Sequence, residues 1–113
     1  MKEIKAHVRP ERVEAVVLAL HDAGVSHLTL THTRALGSGV DPERRRMSLE
    51  AGGWYTEHAK LELVCPADEA EGLVEVIRRA AYTGDPGDGV LFVSPVERAV
   101  KVRSAAEGHE ALA

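Results

Sequence analysis

Between Thr83 and Gly89 the sequence reads Thr-Gly-Asp-Pro-Gly-Asp-Gly, with three glycines within six positions. Glycine-dense backbone can turn successive N–H groups toward one point and so form a nest for an anion. The same residues also suit a plain helix-to-strand turn with Gly84 as its C-cap. No Gly-Lys-Ser or Gly-Lys-Thr follows, so the segment is not a P-loop. Lys101 and Arg103 shift the balance toward an anion. Two residues apart on a strand, they would point to one face. The planar fork of Arg and the point charge of Lys both suit phosphate. A glycine loop and a basic pair close together in one small sheet predict a polyphosphate site.

Other chemistry is thinner. The six histidines, His7, His21, His27, His32, His58 and His109, show no tight zinc spacing. If Leu36 pairs with His58 across a hairpin, His32 pairs with Glu62, and His32, His58 and Glu62 share a strand face as an alternative metal set. Otherwise they are scattered surface histidines. Cys65 alternates into a core, where thiols are inert. Ser48 has no evident base, and the chain contains no Asn, which counts against an acylphosphatase-like hydrolase. Trp54-Tyr55, beside Gly52-Gly53, is either a partner anchor or a pair folded onto the base of a loop. Arg44-Arg45-Arg46 lies among Asp41, Glu43 and Glu50, as a solvated loop or a partner-binding cluster.

These groups need positioning elements. Residues 2–9 alternate, with Ile4, Ala6 and Val8 on one face, as in a half-buried strand. Pro10 ends it and opens a helix whose stripe is Val13, Val16, Val17 and Leu20, closed at Gly24. Residues 25–36 are rich in β-branched residues and predict a second strand. The pattern then lapses until about Glu57, with a turn or two of helix possible over 42–47. Such a long loop in a small domain is usually functional or mobile. A third strand is predicted over 58–65, with His58, Lys60 and Glu62 facing away from the core. A second helix follows over 67–82, with stripe Leu73, Val74, Ile77 and Ala81. Residues 90–93 predict a short strand and 97–103 a further alternating one. The tail from Ser104 is expected to be loose. The order is β-α-β-β-α-β, an α+β, ferredoxin-like sandwich with two helices on one face of an antiparallel sheet.

Composition narrows the class. One domain suits 113 residues, and the scarcity of aromatics favours a protein that gains burial by oligomerising. A net charge of -4 argues against nucleic acid as a partner. A single cysteine excludes an intrachain disulfide framework. The N-terminus has no apolar signal region, no apolar run is long enough to span a bilayer, and the cytoplasm is expected.

Met1-Lys2-Glu3-Ile4-Lys5-Ala6, Arg9-Pro10, Lys60-Leu61-Glu62-Leu63-Val64, Thr83-Gly84, Gly87-Asp88-Gly89, Phe92-Val93 and Val100-Lys101-Val102-Arg103 together resemble PII signal-transduction proteins, in a divergent PII-like branch. The resemblance covers nearly the whole chain. It implies a non-enzymatic homotrimer that binds ATP, ADP or AMP in clefts between subunits. Thr29, Gly37, Glu62 and Val64 would surround the base and ribose; Gly87, Asp88, Gly89, Lys101 and Arg103 would face the phosphates. Residues 37–55 would be the T-loop, which engages a target protein such as a membrane transporter or metabolic enzyme. Residues 84–90 would be the phosphate loop and 104–113 a flexible tail. The chain departs from nitrogen-sensing members at Gly39, Ala51, His58, Val90 and Lys101. The losses at 39 and 58 weaken a 2-oxoglutarate–Mg²⁺ site, and the loss at 90 favours ADP or AMP over ATP. The alternative is a metal-handling trimer similar to copper-tolerance relatives of the same fold.

Overall fold

The computed structural model describes residues 1–37, 40–50 and 52–112. Five strands and two helices follow in the order β1 (Lys2–Val8), α1 (Val13–Asp22), β2 (Thr29–Ala35), β3 (Arg46–Ser48), β4 (Gly53–Cys65), α2 (Ala70–Ala81) and β5 (Gly89–Pro95). The main sheet runs β2-β4-β1-β5, and β3 adds to the start of β4. All pairings are antiparallel. The expected βαββαβ sandwich is present.

One face of the sheet carries the core. Ile4, Ala6 and Val8 of β1 and Ala59, Leu61 and Leu63 of β4 are buried with Val16 and Leu20 of α1 and Leu73, Ile77 and Ala81 of α2. These are the period-2 and helical-period positions of the sequence, so burial of one face fixes register and helix orientation together. Helix α1 ends in a Schellman motif. The Val25 and Gly24 N–H groups donate to Leu20 and His21 carbonyls, both at 2.9 Å, with Gly24 at φ 92°. Arg12 ties the helices together by donating from Nε (3.0 Å) and Nη2 (2.5 Å) to the Ala80 carbonyl at the end of α2, where cations are favoured.

Among the described residues, no layer covers the opposite face. It presents Glu3, Lys5 and His7 of β1, Lys60 and Glu62 of β4, and Val90 and Phe92 of β5, by register. Val90 is 46% and Phe92 55% exposed.

Four expectations need correction. Strand β4 begins at Gly53, because 53–55 pair with β3 and 56–62 with β2; the paired glycines at 52 and 53 hid this start. Residues 42–47 form no helix. The Asp41 carboxylate accepts the Glu43 N–H (3.0 Å) in a local turn, and the chain is extended from Arg46. Residues 25–28 are irregular, so β2 is shorter than expected. Residues 97–103 are not a strand of the sheet. Beyond Pro95 the chain turns on itself: Lys101 N–H donates to Ala106 O and Ala105 N–H to Lys101 O, each at 2.8 Å. Residues 108–112 follow as a short 3-10 segment.

Removing a buried contact between helix and sheet tests this core. Ile77→Ala is expected to cost about 2–5 kcal/mol in urea unfolding. A loss below about 1 kcal/mol would mean that α2 does not cover the sheet.

Candidate functional site

Arg9 directly follows β1 and is 3% exposed. Burying a guanidinium demands compensation, and three groups supply it. Its Nε donates to Asp88 Oδ1 (3.1 Å), its Nη1 to Asp41 Oδ2 (3.2 Å) and its Nη2 to the Pro86 carbonyl (2.6 Å). One side chain thus fastens the glycine loop and the root of the long loop.

Asp88 organises the glycine loop from inside. Its Oδ2 accepts the N–H groups of Thr83 (2.8 Å) and Gly84 (3.0 Å), and its Oδ1 accepts the Thr83 hydroxyl. Burial alone would raise its pKa. The bonds from Thr83, Arg9 and Gly84 outweigh that and hold the carboxyl far below the usual carboxylate range. Gly89 is fixed by space: a Cβ there would lie 1.8 Å from the His7 carbonyl oxygen, at φ 113°. This close approach brings the loop onto the end of β1.

A cleft of about 840 Å³ opens beside these groups, lined by Asp85, Gly87, Gly89, Val90, Phe92, His7, His58 and Asp41. His58, expected to face solvent, is 8% exposed beneath the loop root. Burial, with the charge of Arg9 and the proximity of His7, pushes its pKa down. Asp41 is held below the ordinary range chiefly by the Glu43 N–H, with Arg9 assisting against burial. The Asp41 N–H donates to the Thr56 hydroxyl at 2.6 Å.

The other expected site residues lie elsewhere. Thr29, Glu62, Val64 and Lys101 line a second cleft of about 500 Å³ together with Glu3 and Leu112. Glu3 is five residues from Val8, the partner of Gly89, which is roughly 16 Å along a strand. Within one chain the glycine loop and the basic residues are therefore apart. Arg103 is exposed on a turn and does not share a strand face with Lys101. Gly37, at φ 62°, ends the run out of β2.

On the hairpin, Arg46, Met47 and Ser48 pair with Tyr55, Trp54 and Gly53. The Arg45 guanidinium stacks 4.4 Å over the Trp54 ring, and that of Arg34 lies 4.8 Å over Tyr55. Trp54 is half-exposed, whereas Tyr55 is buried. Arg44 pairs with Glu11, and Arg46 lies 3.9 Å from Glu57.

The alternative metal set does not assemble. The register pairs Thr33, not Leu36, with His58, and His32 with Ala59. His32 therefore points to the opposite face from His58 and Glu62, and no group of three metal-binding side chains exists among the described residues. Gly39 and Ala51 lie outside those residues.

Two predictions follow from the packing of Arg9, Asp88 and Gly89. Gly89→Ala is expected to lose about 3 kcal/mol or more, because β5 must leave β1. Gly24→Ala, with open space around it, should cost only about 1–2 kcal/mol. Denaturant unfolding of both variants checks the contrast. Stability is also expected to fall in two steps on acidification. Below about pH 6.5 the unfolded His58 takes up a proton that the folded one resists. The depressed Asp88 and Asp41 stabilise fully above about pH 4, and this is lost as pH falls through their folded values. His58→Gln should abolish the upper step, and Asp88→Asn should shrink the lower.

The comparisons with known proteins agree with this architecture. A family model described as nitrogen regulatory protein P-II matches residues 1–106. The "nitrogen fixation nifHD region GlnB-like protein 1" of Methanobacterium ivanovii is 41% identical over 110 residues, spanning 96% of this chain and 99% of that protein. A nitrogen regulatory protein P-II of Mesorhizobium japonicum is 34% identical over 116 residues, covering 99% and 100%. The crystal structure of Arabidopsis thaliana PII bound to citrate superposes with a TM-score of 0.79 at 29% identity, covering 97% of this chain and 90% of that one. With a match across nearly its full length in both sequence and fold, the chain belongs to the nitrogen regulatory protein P-II family.

Proposed function

We propose that this chain is the subunit of a homotrimeric signalling protein, a regulator and not an enzyme, that binds adenine nucleotide in clefts between copies. The observation that carries this is the division of the site. One cleft has the glycine loop on its Arg9 anchor, and a separate cleft is lined by Thr29, Glu62, Val64 and Lys101. Each is half of a polyphosphate nucleotide site, and a neighbouring copy supplies the missing half. The uncovered sheet face, with Phe92 and Val90 exposed, is a surface for such copies to share.

In this reading Gly87 and Gly89 bring backbone N–H groups to the phosphates, while Lys101 and Arg103 come from the adjacent subunit. Asp88 acts through the loop it holds and does not touch phosphate itself. The base and ribose lie near Thr29, Gly37, Glu62 and Val64. ADP or AMP is favoured over ATP, because Val90 offers no cation. The hairpin from β3 to β4, with Arg44, Arg45, Arg46 and Trp54, engages a target protein such as a transporter or metabolic enzyme. Tyr55 supports that hairpin from below. No helix among the described residues is long and apolar enough to cross a membrane, and the reading places the protein in the cytoplasm.

Sedimentation of the purified protein is expected to give a trimer, and calorimetry is expected to show micromolar binding of ADP, AMP or ATP. Arg103→Ala and Lys101→Ala should each weaken binding by about tenfold or more, the size of one charge-assisted contact. An intact trimer that takes up no adenine nucleotide would sink the proposal.

A further inference from the structure

Asp41 belongs to the long loop by sequence but to the ligand cleft by position. Its side chain is 10% exposed and sits on Arg9, itself 4% exposed. A Cβ added at Gly87 would lie 3.3 Å from Arg9 Nη2 and 3.4 Å from Asp41 Oδ2. The ground immediately in front of Gly87 is therefore already held by a carboxylate. We propose that Asp41 sets the ligand specificity of the glycine loop: it is a built-in anion on Arg9, and it disfavours any ligand that extends a further phosphate or carboxylate onto that guanidinium. The inference rests on the nucleotide reading above and adds to it the residue that counts phosphates.

The argument follows from where the hydrogen bonds go. All three nitrogens of Arg9 donate: to Asp88, to Asp41 and to the Pro86 carbonyl. Two N–H groups, one on each Nη, are left over, but the side chain is 4% exposed, so an incoming anion reaches them by moving one of these acceptors aside. Pro86 O is backbone within the loop. Asp88 is tied to that loop by three further bonds, from the Thr83 N–H, the Thr83 hydroxyl and the Gly84 N–H. Among the described residues, the Asp41 carboxylate has, besides Arg9, only the Glu43 N–H two residues away. Asp41 is the acceptor that yields. When it goes, its own N–H leaves the Thr56 hydroxyl, and the strap over 40–43 comes off β4. That strap leads directly into β3. A ligand with negative charge at Arg9 thus releases the root of the hairpin, and a ligand without it leaves the hairpin docked.

The test compares ATP and ADP. Calorimetry on the wild-type trimer and on Asp41→Asn is expected to show the ratio of ATP to ADP affinity rising about tenfold in the variant, the effect of removing one nearby like charge from a partly screened site. Tryptic cleavage after Arg44, Arg45 and Arg46 should be faster in wild type with ATP than with ADP, and fast with either in Asp41→Asn. Should Asp41→Asn not fold, Thr56→Val keeps the charge and removes only the strap's hydrogen bond. It should speed cleavage and raise the affinity ratio by about threefold. If both nucleotides bind and neither variant changes the ratio, the assignment of Asp41 is overturned while the nucleotide reading stands. If neither nucleotide binds wild type or variant, both fall.

Discussion

A buried positive charge at the end of β1 organises this protein. Arg9 cannot be left without acceptors at 3% exposure, because an unpaired guanidinium in such a place costs several kcal/mol. Its acceptors come from two segments far apart in sequence: Pro86 and Asp88 of the glycine loop, and Asp41 of the long loop. Satisfying one side chain therefore brings the two loops to the same point in space. The glycine loop keeps its shape because Asp88 spends its remaining lone pairs on Thr83 and Gly84. The sheet below supplies the platform, since Gly89 can approach the His7 carbonyl only without a side chain.

The same geometry leaves the chain with two separate clefts. Along β1, Glu3 and its partner Val64 lie five residues from Val8 and Gly89, so the strand holds that part of the second cleft away from the glycine loop. Side chains cannot cross roughly 16 Å of sheet. The uncovered face is mixed in character. Lys5 lies 3.5 Å from Glu3 and Lys60 3.1 Å from Glu62, with Phe92 and His7 edge to face beside them. Such a face is suited to contact another folded surface while tolerating water until it does.

Much of the fold was legible because most elements bury a single face. The alternation in β1 and the stripes of α1 and α2 reappear as the buried positions of the core. Legibility failed where pairing, not periodicity, decides structure. The partner of His58 in β2 depends on the path of the intervening loop, and a shift of three residues put His32 on the wrong face. Residues 97–103 alternate as a strand does, yet the chain there pairs with its own next residues through a turn at Ala105 with φ 59°. The glycine loop was recognisable from its spacing. Arg9 was not, because the sequence offers 18 acidic residues and no local sign of which ones fold back to meet it. A basic residue between the last apolar position of a strand and a proline, opposite a glycine-rich turn, was the one available hint.

The hairpin carries the chain's single tryptophan, and its indole lies beneath the Arg45 guanidinium rather than in the core. Indole emission responds to the charge and water around the ring, so emission excited in the indole alone reports on this hairpin, while Tyr55 and Tyr82 are separate fluorophores. Any event that lifts or reseats the hairpin is written directly into the indole emission spectrum, with no label attached.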